Sequence, residues 1–242
     1  MPMQPAAKTY LLLHGACHGG WCWKKVATGL RALGHTAYTP TFTGLGERSH
    51  LIGSRPTVET WIEDASQVIR FEDLDDVIVV GHSFGGSVVS GLADRMRDRL
   101  RHLVYLDAMV LQHGQSALDT AGAELINGYR DRAVERDGVR VVPPSPPAYF
   151  GVVDPELGEW LKRKLTPHPL DTYFEPLKLA HPVGNGLPVT YITCAEPLRA
   201  STATSRAYAS TRGDWTRLEM ATGHNAMTLV PDELTALLAN IE

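Results

Sequence analysis

Val77-Ile78-Val79-Val80-Gly81-His82-Ser83-Phe84-Gly85-Gly86-Ser87-Val88-Val89-Ser90 is the stretch that decides the fold. Four consecutive β-branched aliphatics read as a strand buried on both faces, as the interior of a parallel sheet requires. Helical spacing then runs from Ser87 to Leu100. Between strand and helix stands Gly81-His82-Ser83-Phe84-Gly85, a G-x-S-x-G pattern. Small residues at both ends let a sharp strand-to-helix turn close, so that the serine hydroxyl projects above the sheet. The helix N-terminus behind it favours developing negative charge. An incidental serine in a glycine-rich turn is the plainer alternative. The strand before, the helix after and the extra room at Gly86 favour a nucleophile.

The same alternation extends outward on both sides. Tyr10 to Leu13 reads as a buried strand ending at His14-Gly15. Trp21 to Leu33 places Trp23, Val26, Ala27, Leu30 and Leu33 at helical intervals and stops at Gly34, a C-terminal cap signal. His35 to Phe42 is a strand that turns through Thr43-Gly44-Leu45-Gly46. Thr57 opens a helix with Trp61, Ala65, Val68 and Ile69 on one face. Leu103 to Leu106 is a further strand. This succession predicts an α/β fold with a mostly parallel, doubly wound sheet and right-handed crossovers.

The rhythm breaks after Ala108. Residues 109–187 are more polar and rich in proline, with Pro143, Pro144, Pro146 and Pro147 clustered. A structureless loop of that length is implausible in a compact domain, which predicts an inserted subdomain with helix over Ala117–Arg136 and Pro155–Lys164. The sheet resumes with strands at Val189–Thr193 and Thr216–Met220, separated by a helix over Ser201–Thr211. A last helix runs from Pro231, a good first helical residue, to Ile241. The expected organisation is a core of residues 1–108 and 188–242, interrupted by an insertion of residues 109–187.

Composition narrows the function classes. The chain has 242 residues, 43% hydrophobic and 21% charged, which are globular values. Its formal net charge of −4 offers no basic excess for phosphates, which excludes a generic nucleic-acid binder. Three cysteines without zinc-finger spacing argue against a disulfide framework and a structural zinc site. Met1 to Lys8 contains no signal-peptide apolar core. No apolar run approaches the ~20 residues that span a bilayer. The expectation is a soluble, cytoplasmic protein with no membrane partner. A homodimer is left open.

Two further segments carry chemistry. His14-Gly15-Ala16-Cys17-His18-Gly19-Gly20 follows the first strand directly. His14 and His18 could form a metal pair, but no third ligand lies nearby in sequence. The glycines instead leave backbone N–H groups free to point into a cavity. One such N–H, with that of the residue after the serine, makes an oxyanion hole. Gly223-His224-Asn225 follows the last strand, where open α/β sheets place their ligands. A lone histidine is more often structural. The chain order serine, acid, histidine makes His224 the candidate general base. The acid has two candidates. Asp107 follows its strand immediately and is well anchored. Glu196 lies beyond the last residue of its strand, is restricted by Pro197 and has an extra bond to freeze. Asp107 is preferred, with Glu196 as the alternative.

With these strings in view, the chain resembles the α/β-hydrolase superfamily over nearly its whole length. Within it, the chain looks like the branch of plant methylesterases, hydroxynitrile lyases and small bacterial esterases. The resemblance rests on His14 to Trp23, on Gly81 to Gly86 and on Gly223-His224-Asn225-Ala226-Met227. It implies that Ala16 and Phe84 supply the oxyanion N–H groups and that residues 109–187 cap the site. Thr43 to His50 looks like the bacterial side of the branch. One departure stands out: family members usually carry the acid in a Glu-Asp pair, where this chain has Glu196-Pro197.

Three functions follow as expectations. The first is a serine hydrolase with Ser83, His224 and Asp107, acting without a cofactor or metal on a small, apolar or aromatic ester, carbamate or amide. His18, Met109, Tyr149, Phe150 and Trp160 are the candidate substrate contacts. The aromatics near the cap, Tyr149, Phe150, Trp160, Tyr173 and Phe174, suggest a mostly apolar pocket, with a place in the cap core as the competing reading. The second is a cyanohydrin-splitting lyase. By resemblance, such lyases have threonine where this chain has Gly15 and lysine where it has Asn225. The third is a non-enzymatic small-ligand receptor that kept the pocket.

Overall fold

A computed structural model describes residues 6–242. Met1 to Pro5, part of the stretch read as lacking a signal-peptide core, lie outside the described residues. Six strands form one parallel sheet: β1 (Thr9–Leu13), β2 (Thr36–Tyr38), β3 (Val77–His82), β4 (Leu100–Leu106), and two later strands at Val189–Cys194 and Thr216–Met220. The order is β2, β1, β3, β4, then the two later strands. The chain reverses its direction of travel across the sheet between β1 and β3. That topological switch opens a crevice at the strands' C-terminal ends.

The period of two is visible in the packing. Leu11, Leu13, Val77, Val79, Leu103 and Tyr105 face one hydrophobic cluster, while Tyr10, Leu12, Ile78, Val80, Val104 and Leu106 face another. Helix α1 (Lys24–Ala32) covers the second face, and α2 (Val58–Phe71) and α3 (Gly85–Arg95) cover the first. α1 ends as its glycine predicts. Gly34 takes φ +85°, its N–H donates to Arg31 O at 3.0 Å, and the His35 N–H donates to Leu30 O at 3.1 Å. This paired closure satisfies the last carbonyls of the helix. α2 starts at Thr57, whose hydroxyl accepts the Thr60 N–H at 3.1 Å. Such a cap contributes about 1 kcal/mol.

Several expected boundaries shift. The strand read over 35–42 is only Thr36–Tyr38, and Gly46–Ser54 forms 3-10 turns. The helix read over 87–100 begins earlier and ends at Arg95, because β4 claims Leu100 for pairing with Val77.

The chain leaves the sheet after Leu106 and rejoins it at Val189. Within this excursion the single helix expected over 117–136 is broken. Gly122, at φ +89°, separates α4 (Ala117–Ala121) from α5 (Ala123–Arg132). Then β5 (Val134–Arg136) and β6 (Val139–Val142) form a hairpin, joined by Asp137 and Gly138, both at positive φ. A two-residue Asp-Gly loop is the turn whose twist matches paired strands. α6 (Pro155–Lys164) forms where expected, with Asp154 Oδ1 accepting the Leu157 N–H at 2.8 Å. The short strand β7 (His168–Pro169) completes a three-stranded antiparallel sheet. β8 (Val189–Cys194), α7 (Ala203–Thr211), β9 (Thr216–Met220), α8 (Ala226–Leu229) and α9 (Pro231–Ala239) finish the chain. Tyr129, Val142 and Tyr173 of the excursion join the same cluster as Phe84 and Met109. No helix among the described residues is long and apolar enough to cross a membrane.

Candidate active site

The site is assembled from loops at the C-terminal ends of β1, β3, β4 and β9. Ser83 follows β3 at φ +54°, a left-handed conformation unfavourable for a side-chain-bearing residue. Close packing enforces it. A Cβ at Gly81 would lie 2.8 Å from Gly85 O, one at Gly85 would lie 2.7 Å from His14 O, and one at Gly86 would lie 2.1 Å from Met109 O. The Ser83 N–H donates to Leu106 O at 3.2 Å, and Ser83 O accepts the Met109 N–H at 2.9 Å. The serine turn is therefore clamped between β4 and the start of the excursion.

His224 and Asp107 meet as a buried pair, with His224 Nδ1 2.6 Å from Asp107 Oδ2. Asp107 is fully buried and itself sits at φ +41°. Its N–H donates to Ile192 O at 2.7 Å, so β8 holds its backbone. The other carboxylate oxygen, Oδ1, accepts the Thr202 hydroxyl at 2.9 Å and lies 3.8 Å from Arg206 Nη1. Burial raises the carboxyl's pKa, while the Thr202 hydroxyl, His82, Arg206 and Arg199 oppose the rise. His224 is pushed well below the usual histidine range, by burial first and then by Arg199 and His18. Its imidazole is accordingly neutral at physiological pH. With Nδ1–H directed at the carboxylate, Nε2 carries the lone pair. Glu196, the alternative acid, is exposed.

Two features hold the His224 backbone. His82 Nε2–H donates to His224 O at 2.8 Å. The Asn225 N–H donates to Phe150 O at 3.1 Å, where Gly151 packs on Gly223 so closely that a Cβ on Gly151 would lie 2.7 Å from Gly223 Cα. The residue between Gly81 and Ser83 is thus a strut for the histidine loop, a role that the five-residue motif does not disclose. Ser83 and His224 line one cavity. No hydrogen bond joins their side chains in this structure, as is common in sites without substrate.

Ala16 and Phe84 also line the cavity, and among the described residues neither backbone N–H donates to a protein acceptor. Phe84 immediately precedes α3, so its N–H belongs to a helix N-terminus. His14 does not behave as a metal ligand. Its Nδ1–H donates to Gly15 O at 2.9 Å and its Nε2 accepts the Phe42 N–H at 3.1 Å. His18, Met109, Tyr149 and Phe150 all reach the cavity wall. Trp160 is not among the lining residues: it packs edge-on against Trp21, with ring centroids 5.4 Å apart. Tyr173, one of the cap aromatics read as pocket-forming, lines the cavity, and so do Tyr129 and Arg199, which that reading did not include; Phe174 is not among the lining residues. Arg199 lies in the loop after β8, the kind of position that could have marked it. Tyr129 is brought in by the fold of the excursion alone.

The cavity encloses about 40 Å³, far below the ~300–1,000 Å³ of typical ligand sites. A second hollow of about 690 Å³ shares Tyr149, Arg199 and Ser201 with it. The Arg199 guanidinium stacks 3.9 Å above the Tyr149 ring at this boundary.

Comparison with known proteins agrees with this architecture. The sequence pattern of the alpha/beta hydrolase family matches residues 10–237. A carbendazim hydrolyzing esterase from Nocardioides sp. (strain SG-4G) is 39% identical over 245 residues, covering 95% of this chain and 98% of that protein. Methylesterase 1 of Arabidopsis thaliana is 33% identical over 122 residues, 48% of this chain and 46% of its own length. An extracellular alpha/beta-hydrolase from a Paenibacillus species superposes with a TM-score of 0.83 at 25% identity, covering 96% of this chain and 98% of the other.

Proposed function

The chain belongs to the alpha/beta hydrolase family, and from that premise we propose that it is a serine esterase working through Ser83, His224 and Asp107. The observation that carries this reading is the buried 2.6 Å pair of Asp107 and His224 at the cavity that also holds Ser83. Ser83 Oγ attacks the acyl carbon as His224 Nε2 takes its proton. Asp107 fixes the tautomer and stabilises the imidazolium. The Ala16 and Phe84 N–H groups receive the oxyanion, a contribution of about 3 kcal/mol for one donor. His224 returns the proton to the departing alcohol. Water then enters, His224 removes its proton, and the acyl-enzyme is hydrolysed.

The apolar and aromatic cavity wall suits a small aromatic or apolar acyl group, and the carbendazim-hydrolysing relative supports carbamates alongside carboxylic esters. Entry proceeds from the outer hollow past Tyr149 and Arg199. A cyanohydrin lyase is disfavoured. A Cβ at Gly15 would lie 2.8 Å from Ser83 Cβ and 3.0 Å from His82 Nδ1, which leaves no room for a threonine without a shift. Asn225 also supplies no cation. The test is a hydrolysis screen over short-chain esters, aromatic methyl esters and N-aryl carbamates, with Ser83→Ala as the blank. Turnover falls by about a million-fold in the variant if the triad acts as a unit. A residual rate above a tenth of the wild type, or a Ser83 that fails to react with a serine-directed phosphonate, refutes the covalent route.

A further inference from the structure

His168, on β7 of the excursion, is fully buried, does not line the cavity and has no part in the proton transfers of the triad. Its ring is bonded at both nitrogens. Thr172 Oγ1 donates its own hydrogen to Pro169 O at 2.8 Å, so His168 Nε2–H donates to that oxygen at 3.0 Å. Nδ1 then carries the lone pair, and it accepts the Cys17 N–H at 3.4 Å. Burial pushes the His168 pKa down to about 3, which keeps this acceptor unprotonated. The Thr166 N–H donates to Cys17 O at 2.9 Å. Two residues of the excursion therefore hold both backbone polar groups of Cys17. That residue sits at φ +66°, a left-handed conformation that persists only where its surroundings enforce it.

Cys17 directly follows the residue assigned to the oxyanion. Gly15 O accepts His14 Nδ1–H at 2.9 Å and the His18 N–H at 3.4 Å. The C=O and N–H of a trans peptide point in opposite directions, so the Ala16 N–H is turned the other way, and Ala16 lines the cavity. The loop is thus anchored from the core through His14 and from the excursion through Thr166 and His168. The second set acts on Cys17, where the strain lies. The His168 ring also packs on Phe84, with centroids 5.0 Å apart. One buried side chain therefore touches both segments that carry the assigned donors.

We propose that His168 is a positioning residue that couples the excursion to the oxyanion hole: by accepting the Cys17 N–H it keeps the Ala16 N–H aimed at the developing oxyanion. The inference rests on the esterase reading for the use of the Ala16 N–H, though not for the hold on Cys17. Without the acceptor, Cys17 relaxes by turning the peptide group that it shares with Ala16, and the donor loses its aim. Substrate binding is spared, because His168 forms no part of the cavity wall.

The test pairs His168→Leu, which removes the acceptor, with His168→Asn, whose Oδ1 stands as far along the side chain as Nδ1 and accepts the Cys17 N–H in its place. On each, kcat and KM are measured with an aromatic methyl ester. Ki is measured with an aryl trifluoromethyl ketone, whose adduct with Ser83 carries the oxyanion. His168→Leu is expected to lower kcat and raise Ki by about tenfold to a hundredfold, part of the loss when a donor is removed outright, with KM kept within about threefold. His168→Asn recovers most of both. A residue that only packs would give the opposite order, since leucine suits an apolar, aromatic surrounding better than asparagine. Equal losses in the two variants, a His168→Leu protein that matches the wild type, or a raised KM with Ki unchanged overturns the inference. Should His168→Leu fail to fold, His168→Gln, whose amide reaches Thr172 and leaves no acceptor beside Cys17, carries the same comparison. A wild type that neither turns over an ester nor binds the ketone refutes the esterase reading and this inference with it. A wild type that does both, with the variants alike, refutes the inference alone.

Discussion

Replacing Asp107 by asparagine keeps shape and volume but reverses a hydrogen bond. In the structure Oδ1 accepts from the Thr202 hydroxyl and Oδ2 faces His224 Nδ1. An asparagine that keeps its oxygen toward Thr202 must turn its NH₂ toward His224. The imidazole then adopts the other tautomer, with its hydrogen on Nε2 facing Ser83, and can no longer accept the serine proton. A loss of up to about 10,000-fold in kcat is expected, equal to about 5.4 kcal/mol at 1.36 kcal/mol per tenfold. Stability should change little. The variant loses a charge-assisted hydrogen bond, but it also removes a fully buried carboxylate whose ionisation burial disfavours. A net effect of about 1 kcal/mol shifts Tm by roughly 2–4 °C in a chain of this size. The assay is kcat on an aromatic methyl ester, alongside a thermal melt and the matched variant Glu196→Gln. A kcat within tenfold of the wild type for Asp107→Asn refutes the reasoning, as does a large loss confined to Glu196→Gln.

Other expectations follow from the same geometry. Because His224 is held below the usual histidine range, the acid limb of kcat/KM should fall below pH 6.5; a limb above pH 7 contradicts the assigned base. His14 and His168, with pKa values lowered to about 3, and His18, lowered to about 4, stay neutral in the fold while their unfolded counterparts gain protons below about pH 6.5. Stability should therefore fall on acidification, by up to about 1.4 kcal/mol per pH unit for each; a melting temperature constant from pH 7 to 5 would show that these rings are not buried as described. Gly86→Ala places a Cβ 2.1 Å from Met109 O, a backbone atom that cannot swing aside. The expected cost is about 2 kcal/mol, read as a Tm lower by roughly 4–8 °C, and an unchanged Tm would contradict the clamp beneath Ser83.

Much of the molecule was readable in one dimension, because the signals are local. The alternating faces of Tyr10 to Leu13 and Val77 to Val80, the glycine closing α1 and the glycine-flanked Ser83 each depend on residues a few positions apart. Backbone sterics and burial act at that range. Even the Asp137-Gly138 turn was written locally, but it stands directly after the run over 117–136 read as helix, where the left-handed Gly122 and the pairing of Val134–Arg136 with Val139–Val142 prevail. For the two carboxylates the sequence offered a local preference, since Asp107 directly follows its strand whereas Glu196 stands further out before Pro197, but no contact. Only the tertiary structure shows Asp107 buried against His224 while Glu196 is exposed. That arrangement depends on Thr202 on the far side of Asp107, Ile192 behind its backbone and His82 beneath His224. Trp160 was misplaced, and Tyr129 was not singled out, for a related reason. Aromatic character says only that a side chain seeks burial; whether it is buried against Trp21 or against the reacting serine depends on how the excursion folds over the sheet.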